Sequence, residues 1–263
     1  MTHPDGATAL SREPHDEHHA LELRSDEALR ARTRAGQSIA RMAEPRTLAP
    51  VELDAMRVVR GDRDDRLHAD AFREIRTRLL AHAGNRNFVT LVAPVSTGCG
   101  ASFVSRNLAT AFTFDEAKTA LLVDCNLRHP EQQQSLGVDA PHGGLIDFLE
   151  NPDIGLAAVI RPTGIPRLRL VPAGTPREMS SEYFSSSRMR ALIDVLVRRY
   201  PDRYLFLDGP PIRSGPDARI LSALADYVIV VAGYGRDTAA SVRKAVSVFD
   251  PKKFAGVVFN ELP

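Results

Sequence analysis

The 263-residue chain contains no tryptophan, and aromatic residues make up only 6% of it. All of its phenylalanines and tyrosines lie at or beyond Phe72, so the first seventy residues have no ring with which to build a core. Cys99 and Cys125 are the only cysteines, which excludes a disulfide scaffold. No run approaches the roughly 20 apolar residues of a membrane-spanning helix. The polar first thirty residues are read as excluding a secretory signal. Charge of either sign is not in excess: the 34 basic and 33 acidic residues leave a formal charge of +1. No global field therefore recruits nucleic acid or anionic lipid, and neither a nucleic-acid partner nor direct membrane insertion is expected. What remains is the composition of a soluble, cytoplasmic globular chain, 43% hydrophobic and 25% charged.

Residues 1–66 carry scattered Arg, Asp, Glu and Pro and cannot bury enough apolar area to offset their ordering entropy. They read as a mobile polar arm, with short helical pieces near Ala20–Arg32 and Pro50–Val59. His15, His18 and His19 fall in this arm, where no fixed geometry would hold a metal. Residues 67–263 read as one domain. Its expected strands are Phe88–Ala93, Thr119–Asp124, Arg167–Ala173, Tyr204–Asp208, Asp226–Ala232 and Phe254–Asn260. Several are apolar at nearly every position, as strands buried on both faces are. Helix-compatible segments lie between them at Ala101–Phe114, Arg188–Arg199, Pro216–Leu224 and Thr238–Val248. This alternation predicts a doubly wound, mostly parallel α/β sheet with its functional loops at the strand C-terminal ends.

The first of those loops runs Pro94-Val95-Ser96-Thr97-Gly98-Cys99-Gly100-Ala101-Ser102 and leads into a helix. A strand, a glycine turn and a helix N-terminus make an anion site, because free N–H groups and the helix dipole point the same way. A phosphate loop would read G-x-x-x-x-G-K-[ST]; here Gly100 and Ser102 match, while Val95 and Ala101 replace the first glycine and the lysine. Without a ligand the segment would be only a tight strand-to-helix turn. Two later strands deliver Asp124 and Asp208 to the same sheet edge, where carboxylates can hold Mg²⁺ against phosphates or simply cap turns. Cys99, beside the helix N-terminus, reads either as a thiol of lowered pKa or as a tolerated small residue.

In their order and spacing these segments resemble the bacterial tyrosine autokinases (BY-kinases) of capsule and exopolysaccharide synthesis, above all their soluble type. The family reads P-G-E-G-K-S-T, D-x-D-x-R-x-P and D-x-P-P. Here those become Thr97–Phe103, Asp124-Cys125-Asn126-Leu127-Arg128-His129-Pro130 and Asp208-Gly209-Pro210-Pro211. Gly143–Leu149, Leu170–Gly174, Ser187–Arg190, Tyr200–Tyr204 and Gly256–Asn260 extend the match from about Asp70 to Asn260. The resemblance implies a P-loop fold with ATP bound at Gly98, Cys99, Gly100, Ala101, Ser102 and Phe103, and Mg²⁺ at Ser102, Asp124 and Asp208. It assigns catalysis to Asp124, Asn126 and Arg128. It also implies a membrane chain-length or export activator as partner, with recruitment to the inner face of the membrane. Asp70, Arg73 and Arg76 match the E-x-x-R-x-x-R helix that contacts the next subunit of a ring, although such spacing also suits a solvated charged face.

The departures fall on the chemistry. Ala101 has no charge, donor or reach where a lysine would meet the β- and γ-phosphates, and Asn126 cannot take up a proton near neutral pH. Arg106, more than one helical turn downstream, is expected to point away from the anion nest. The sequence ends at Pro263 without the family's tyrosine cluster, and Tyr183, Tyr200, Tyr204, Tyr227 and Tyr234 are dispersed. Tyr204 and Tyr227 are expected to be core or rim residues. Three readings follow. The first is a BY-kinase-family regulator with weak or absent phosphoryl transfer and weak ATP and Mg²⁺ binding. The second is an active autokinase with an unusual loop. The third is a partitioning ATPase of the ParA/MinD kind, disfavoured because Val95 stands about where those proteins carry an extra lysine.

Overall fold

The computed structural model describes residues 42, 45–61, 66–84, 86–151, 153–178, 180–200 and 202–261. Seven strands form one sheet: β1 (Val89–Pro94), β2 (Thr119–Asp124), β3 (Arg161–Pro162), β4 (Leu168–Val171), β5 (Arg203–Asp208), β6 (Tyr227–Gly233) and β7 (Phe254–Asn260). Their order is β3-β4-β2-β5-β1-β6-β7. All neighbours run parallel except β3, which pairs antiparallel with β4 at the edge.

Helices cover both faces because each inner strand is apolar on both. On β1, Leu91 and Ala93 join one core and Phe88 and Val92, at its start and within it, join the other; on β5, Leu205 and Leu207 oppose Tyr204 and Phe206. Helices α1 (Pro50–Ala55), α2 (Arg66–Ala83) and α3 (Ala101–Phe112) precede two short ones, α4 (Gln132–Ser135) and α5 (Leu145–Glu150). There follow α6 (Leu156–Val159), α7 (Ser181–Ser185), α8 (Ser187–Arg199), α9 (Asp217–Ser222) and α10 (Ala239–Val246). Val104, Leu108 and Phe112 of α3, with Phe72 and Leu79 of α2, bury one face; Met189, Leu192 and Leu196 of α8, with Val242 of α10, bury the other. The scarce aromatics are concentrated under α3: Phe112 lies 4.7 Å from Tyr204 and 5.0 Å from Phe206 between ring centroids, spacings at which rings attract beyond their area burial. Tyr204 is thus core and Tyr227 half-buried at the rim.

Of the arm expected over residues 1–66, the described stretch 45–61 packs on the domain instead. Val58 and Val59 are buried in the α3-side core, and the buried Asn107 of α3 fastens the segment. Its Oδ1 accepts the Val59 N–H at 2.7 Å, and its Nδ2 donates to Arg57 O at 3.0 Å. Two valines and one carboxamide hold what composition alone reads as unanchored chain. The pieces near Ala20–Arg32 and the three arm histidines lie outside the described residues. Asn107→Ala would leave a buried N–H and a carbonyl unpaired, at about 1–3 kcal/mol each. Limited proteolysis within 45–61 is therefore expected to speed up by at least tenfold, while the aromatic core still melts cooperatively.

On α2, Arg73 pairs with Asp70 at 2.8 Å, donates to Gly61 O at 3.0 Å and lies over the Phe114 ring. Arg76 donates to Ala111 O at 2.7 Å, in the last turn of α3. Both arginines therefore clamp α2 to the body of their own chain, and on α2 the exposed charges beside them are Asp70, Glu74 and Arg78.

Candidate nucleotide site

The loop between β1 and α3 turns through two left-handed glycines, Gly98 (φ +76°) and Gly100 (φ +80°), a region that disfavours a β-carbon. Gly100 is the N-cap of α3, and no side chain caps the helix. Its carbonyl accepts the first helical bond, from Val104 N at 3.0 Å. The N–H groups of Ala101, Ser102 and Phe103 precede that bond and remain for a ligand, and the positive end of the helix dipole adds to their pull on an anion. Ala101 begins the helix with a buried methyl group. The Phe103 ring packs edge-on against Phe72 at 6.0 Å, so only its backbone faces the loop.

Cys99 reads differently in the structure. Its side chain is fully buried, its thiol donates to Val231 O at 3.2 Å, and burial pushes its pKa up. Without thiolate character it is not a reactive cysteine; it packs the loop onto β6.

Asp124 and Asp208 are cross-strand partners at the ends of β2 and β5, and both are buried. Asp124 is spent on backbone: Oδ1 accepts Asn126 N at 3.1 Å, and Oδ2 accepts Glu131 N and Gln132 N at 3.2 and 3.1 Å. Desolvation first, and then the charge of Asp208, push its pKa up to about 8. Asp208 is also raised by desolvation, to about 6, against the opposing pull of its donors, first among them Gln132 Nε2 at 2.6 Å. Its Oδ1 is buried with no hydrogen-bond partner, as is Asn126 Oδ1. A buried orphan acceptor is costly. One on a carboxylate close to Ser102 and paired across the strands with a second carboxylate suits a divalent cation with oxygen ligands.

Gln132 knits the site together, and nothing in its surrounding run Gln132-Gln133-Gln134 marks it in the sequence. Besides Asp208, its Nε2 reaches Ser102 O at 2.9 Å and Ser105 Oγ at 3.1 Å. Its Oε1 faces Arg106 Nη1 at 3.3 Å, and the same guanidinium reaches Met56 O at 3.5 Å. Arg106 thus runs beneath the site, as its helical position predicts. Arg128 is drawn elsewhere: Nε donates to Glu178 O at 2.9 Å, and Nη2 pairs with the buried Asp217 at 3.5 Å. Of the residues expected to act, Ser102, Asp124 and Asp208 come together, Asn126 lies beside them, and Arg128 braces a neighbouring loop.

The other wall of the loop comes from the far end of the chain. Arg236 Nη1 donates to Gly98 O at 2.7 Å. Asp237 accepts the Ser96 hydroxyl and the Gly233 N–H, each at 2.8 Å, and Asn260 Nδ2 donates to Cys99 O at 3.1 Å. Neither Arg236 nor Asp237 belongs to any motif read from the sequence.

No family model matches the chain. The tyrosine-protein kinase Wzc of Salmonella typhimurium is 32% identical over 199 residues, covering 74% of this chain and 27% of the relative. The chain thus spans about a quarter of that relative's length. The tyrosine-protein kinase CpsD of Streptococcus agalactiae is 27% identical over 194 residues, covering 73% of this chain and 82% of the relative. Among solved structures, the VpsO kinase domain superposes with a TM-score of 0.63 at 25% identity, covering 76% of this chain and 98% of that one.

Proposed function

The chain belongs to the bacterial tyrosine-kinase family of capsule and exopolysaccharide synthesis, and on that footing we propose that it is a regulatory member. In this reading it binds Mg·ATP weakly and transfers phosphate slowly or not at all. The observation that carries the proposal is a methyl group, Ala101, at the first residue of an uncapped helix. The cradle of N–H groups is retained, but the cation that should meet the β- and γ-phosphates is missing. One preorganised charged donor is typically worth about 10²–10³ in rate. Asn126 removes a second chemical group, since its amide cannot take up a proton from a tyrosine hydroxyl.

The N–H groups of Ala101, Ser102 and Phe103 would hold the phosphates. Ser102 and Asp208 would hold Mg²⁺ directly, with Asp124 behind them, and the ion would supply charge neutralisation of the triphosphate. A nucleotide-dependent change at this edge could then be read by a membrane chain-length or export activator, and by further copies of the chain through the exposed face of α2. Among the described residues no helix is long and apolar enough to cross a membrane; in this reading attachment to the inner face runs through that partner. The surviving Ser102–Asp208 pair favours a second reading, an active autokinase. One pair of measurements separates them. Calorimetry with Mg·ATP is expected to give weak binding carried mainly by the loop N–H groups, so that losing the Ser102 hydroxyl in Ser102→Ala costs little, and labelled ATP should leave little phosphotyrosine. Rapid autophosphorylation that Asp124→Asn abolishes would overturn the regulatory reading and establish the kinase.

A further inference from the structure

Arg236 is held against the glycine loop from both sides. Asp237 ties its strand end to the loop through Gly233 N–H and Ser96 Oγ, and the Tyr234 N–H donates to Asn260 O at 2.8 Å. Asn260 in turn reaches Cys99 O. The guanidinium lies on the bare edge of Gly98: a β-carbon there would stand 3.1 Å from Nη1 and 3.5 Å from Nη2. Both Asp237 oxygens are engaged elsewhere. Among the described residues Arg236 therefore has a carbonyl as partner and no carboxylate. It is a permanent cation using one of five N–H donors, fixed beside an uncapped helix N-terminus.

We propose that Arg236 is the nucleotide-facing cation of this site and gives a bound triphosphate the positive charge that Ala101 lacks. This rests on the reading of Thr97–Ser102 as a triphosphate cradle. In the free protein the guanidinium is parked on the Gly98 carbonyl, a neutral acceptor. A polyanion drawn to the helix N-terminus offers charge-assisted bonds roughly twice as strong, and the unused donors can take them without breaking the Gly98 bond. The glycine at 98 suits the arrangement: a β-carbon there would crowd Nη1 by a few tenths of an ångström, on top of the strain of a left-handed backbone.

The test is calorimetry of the full chain with Mg·ATP and, separately, with Mg²⁺ and inorganic triphosphate, which has no base or sugar. Arg236→Ala is expected to weaken both ligands about tenfold, the scale of one hydrogen bond to a charged group. Arg236→Gln, which keeps a donor for Gly98 O but no charge, should weaken both as much, while Arg236→Lys should lose less. Binding to the parent should also fall more steeply with salt than binding to Arg236→Ala. If Arg236→Ala weakens ATP and leaves triphosphate unchanged, the arginine is a shelf for the base and the proposal fails. It fails too if neither ligand responds. A parent chain that takes up neither ligand would overturn the cradle reading itself, and this proposal with it.

Discussion

Ala101→Lys is expected to tighten Mg·ATP binding ten- to hundredfold, the range set by about 1.5–3 kcal/mol for a hydrogen bond to a charged group. The backbone needed for this is already present. Gly98 and Gly100 hold the left-handed turn, Gly100 opens α3, and position 101 is the first helical residue. Adding a stem and an ammonium therefore changes the charge at the nest without asking the loop to refold. Ala101 is only 4% exposed, so length alone must be controlled for. Ala101→Met, of similar reach and no charge, should leave affinity where it was and reveal any overpacking as a lower melting temperature. If the lysine variant binds no better than the methionine variant, the loop has lost the shape of a cradle as well as its cation. The double variant adds a further check. With a lysine in the nest, Arg236→Ala should cost less than it does in the parent chain, because two cations on one triphosphate are not independent.

That Ala101 could be singled out at all reflects which parts of this molecule are written locally. Strands such as Thr119–Asp124 and Phe254–Asn260 declare themselves by continuous apolar runs, and both begin and end where expected. The two aspartates at strand ends were legible for the same reason: a charge closing an apolar run can only lie at the sheet edge. β3 was not, because two residues carry no periodicity. The segment 45–61 was read as free arm because its anchor, Asn107, lies 48 residues from Val59 and looks like any helix-surface asparagine. Gln132 and Arg236 share that invisibility. Their roles depend on contacts spanning 76 residues to Asp208 and 138 residues to Gly98. Cys99 is decided only by the tertiary structure: its local setting allows a thiol of lowered pKa or a tolerated small residue, and its burial under β6 leaves the second.

The buried carboxylate pair has a consequence for stability. Asp208→Asn is expected to be more stable than the parent at pH 8 by about 2–3 kcal/mol, and to match it near pH 4. Asp208 sits at about 6 in the folded chain, against an ordinary 3.8, chiefly through desolvation. A raised acid pKa means that the folded state binds more protons than the unfolded one, so stability falls as pH rises from about 4 through 6. A tenfold change in proton affinity is worth about 1.4 kcal/mol, and the asparagine variant has no proton to gain or lose at this position. Near pH 4 both side chains are neutral. Each keeps an acceptor for Gln132 Nε2 and is uncharged, the carboxyl with one O–H and the carboxamide with two N–H toward the side where Oδ1 now has no partner, which is why near parity is expected there. Removing the charge also relieves Asp124, whose pKa is held up first by burial and then by Asp208. For a domain of this size the gain at pH 8 should raise the melting temperature by about 4–12 °C. Millimolar Mg²⁺ should narrow the gap by stabilising only the parent, since a cation bound to the folded state alone adds to stability by mass action. A melting difference that stays constant from pH 4 to pH 8, or that favours the parent at high pH, would mean that the two carboxylates do not confront each other in the folded chain.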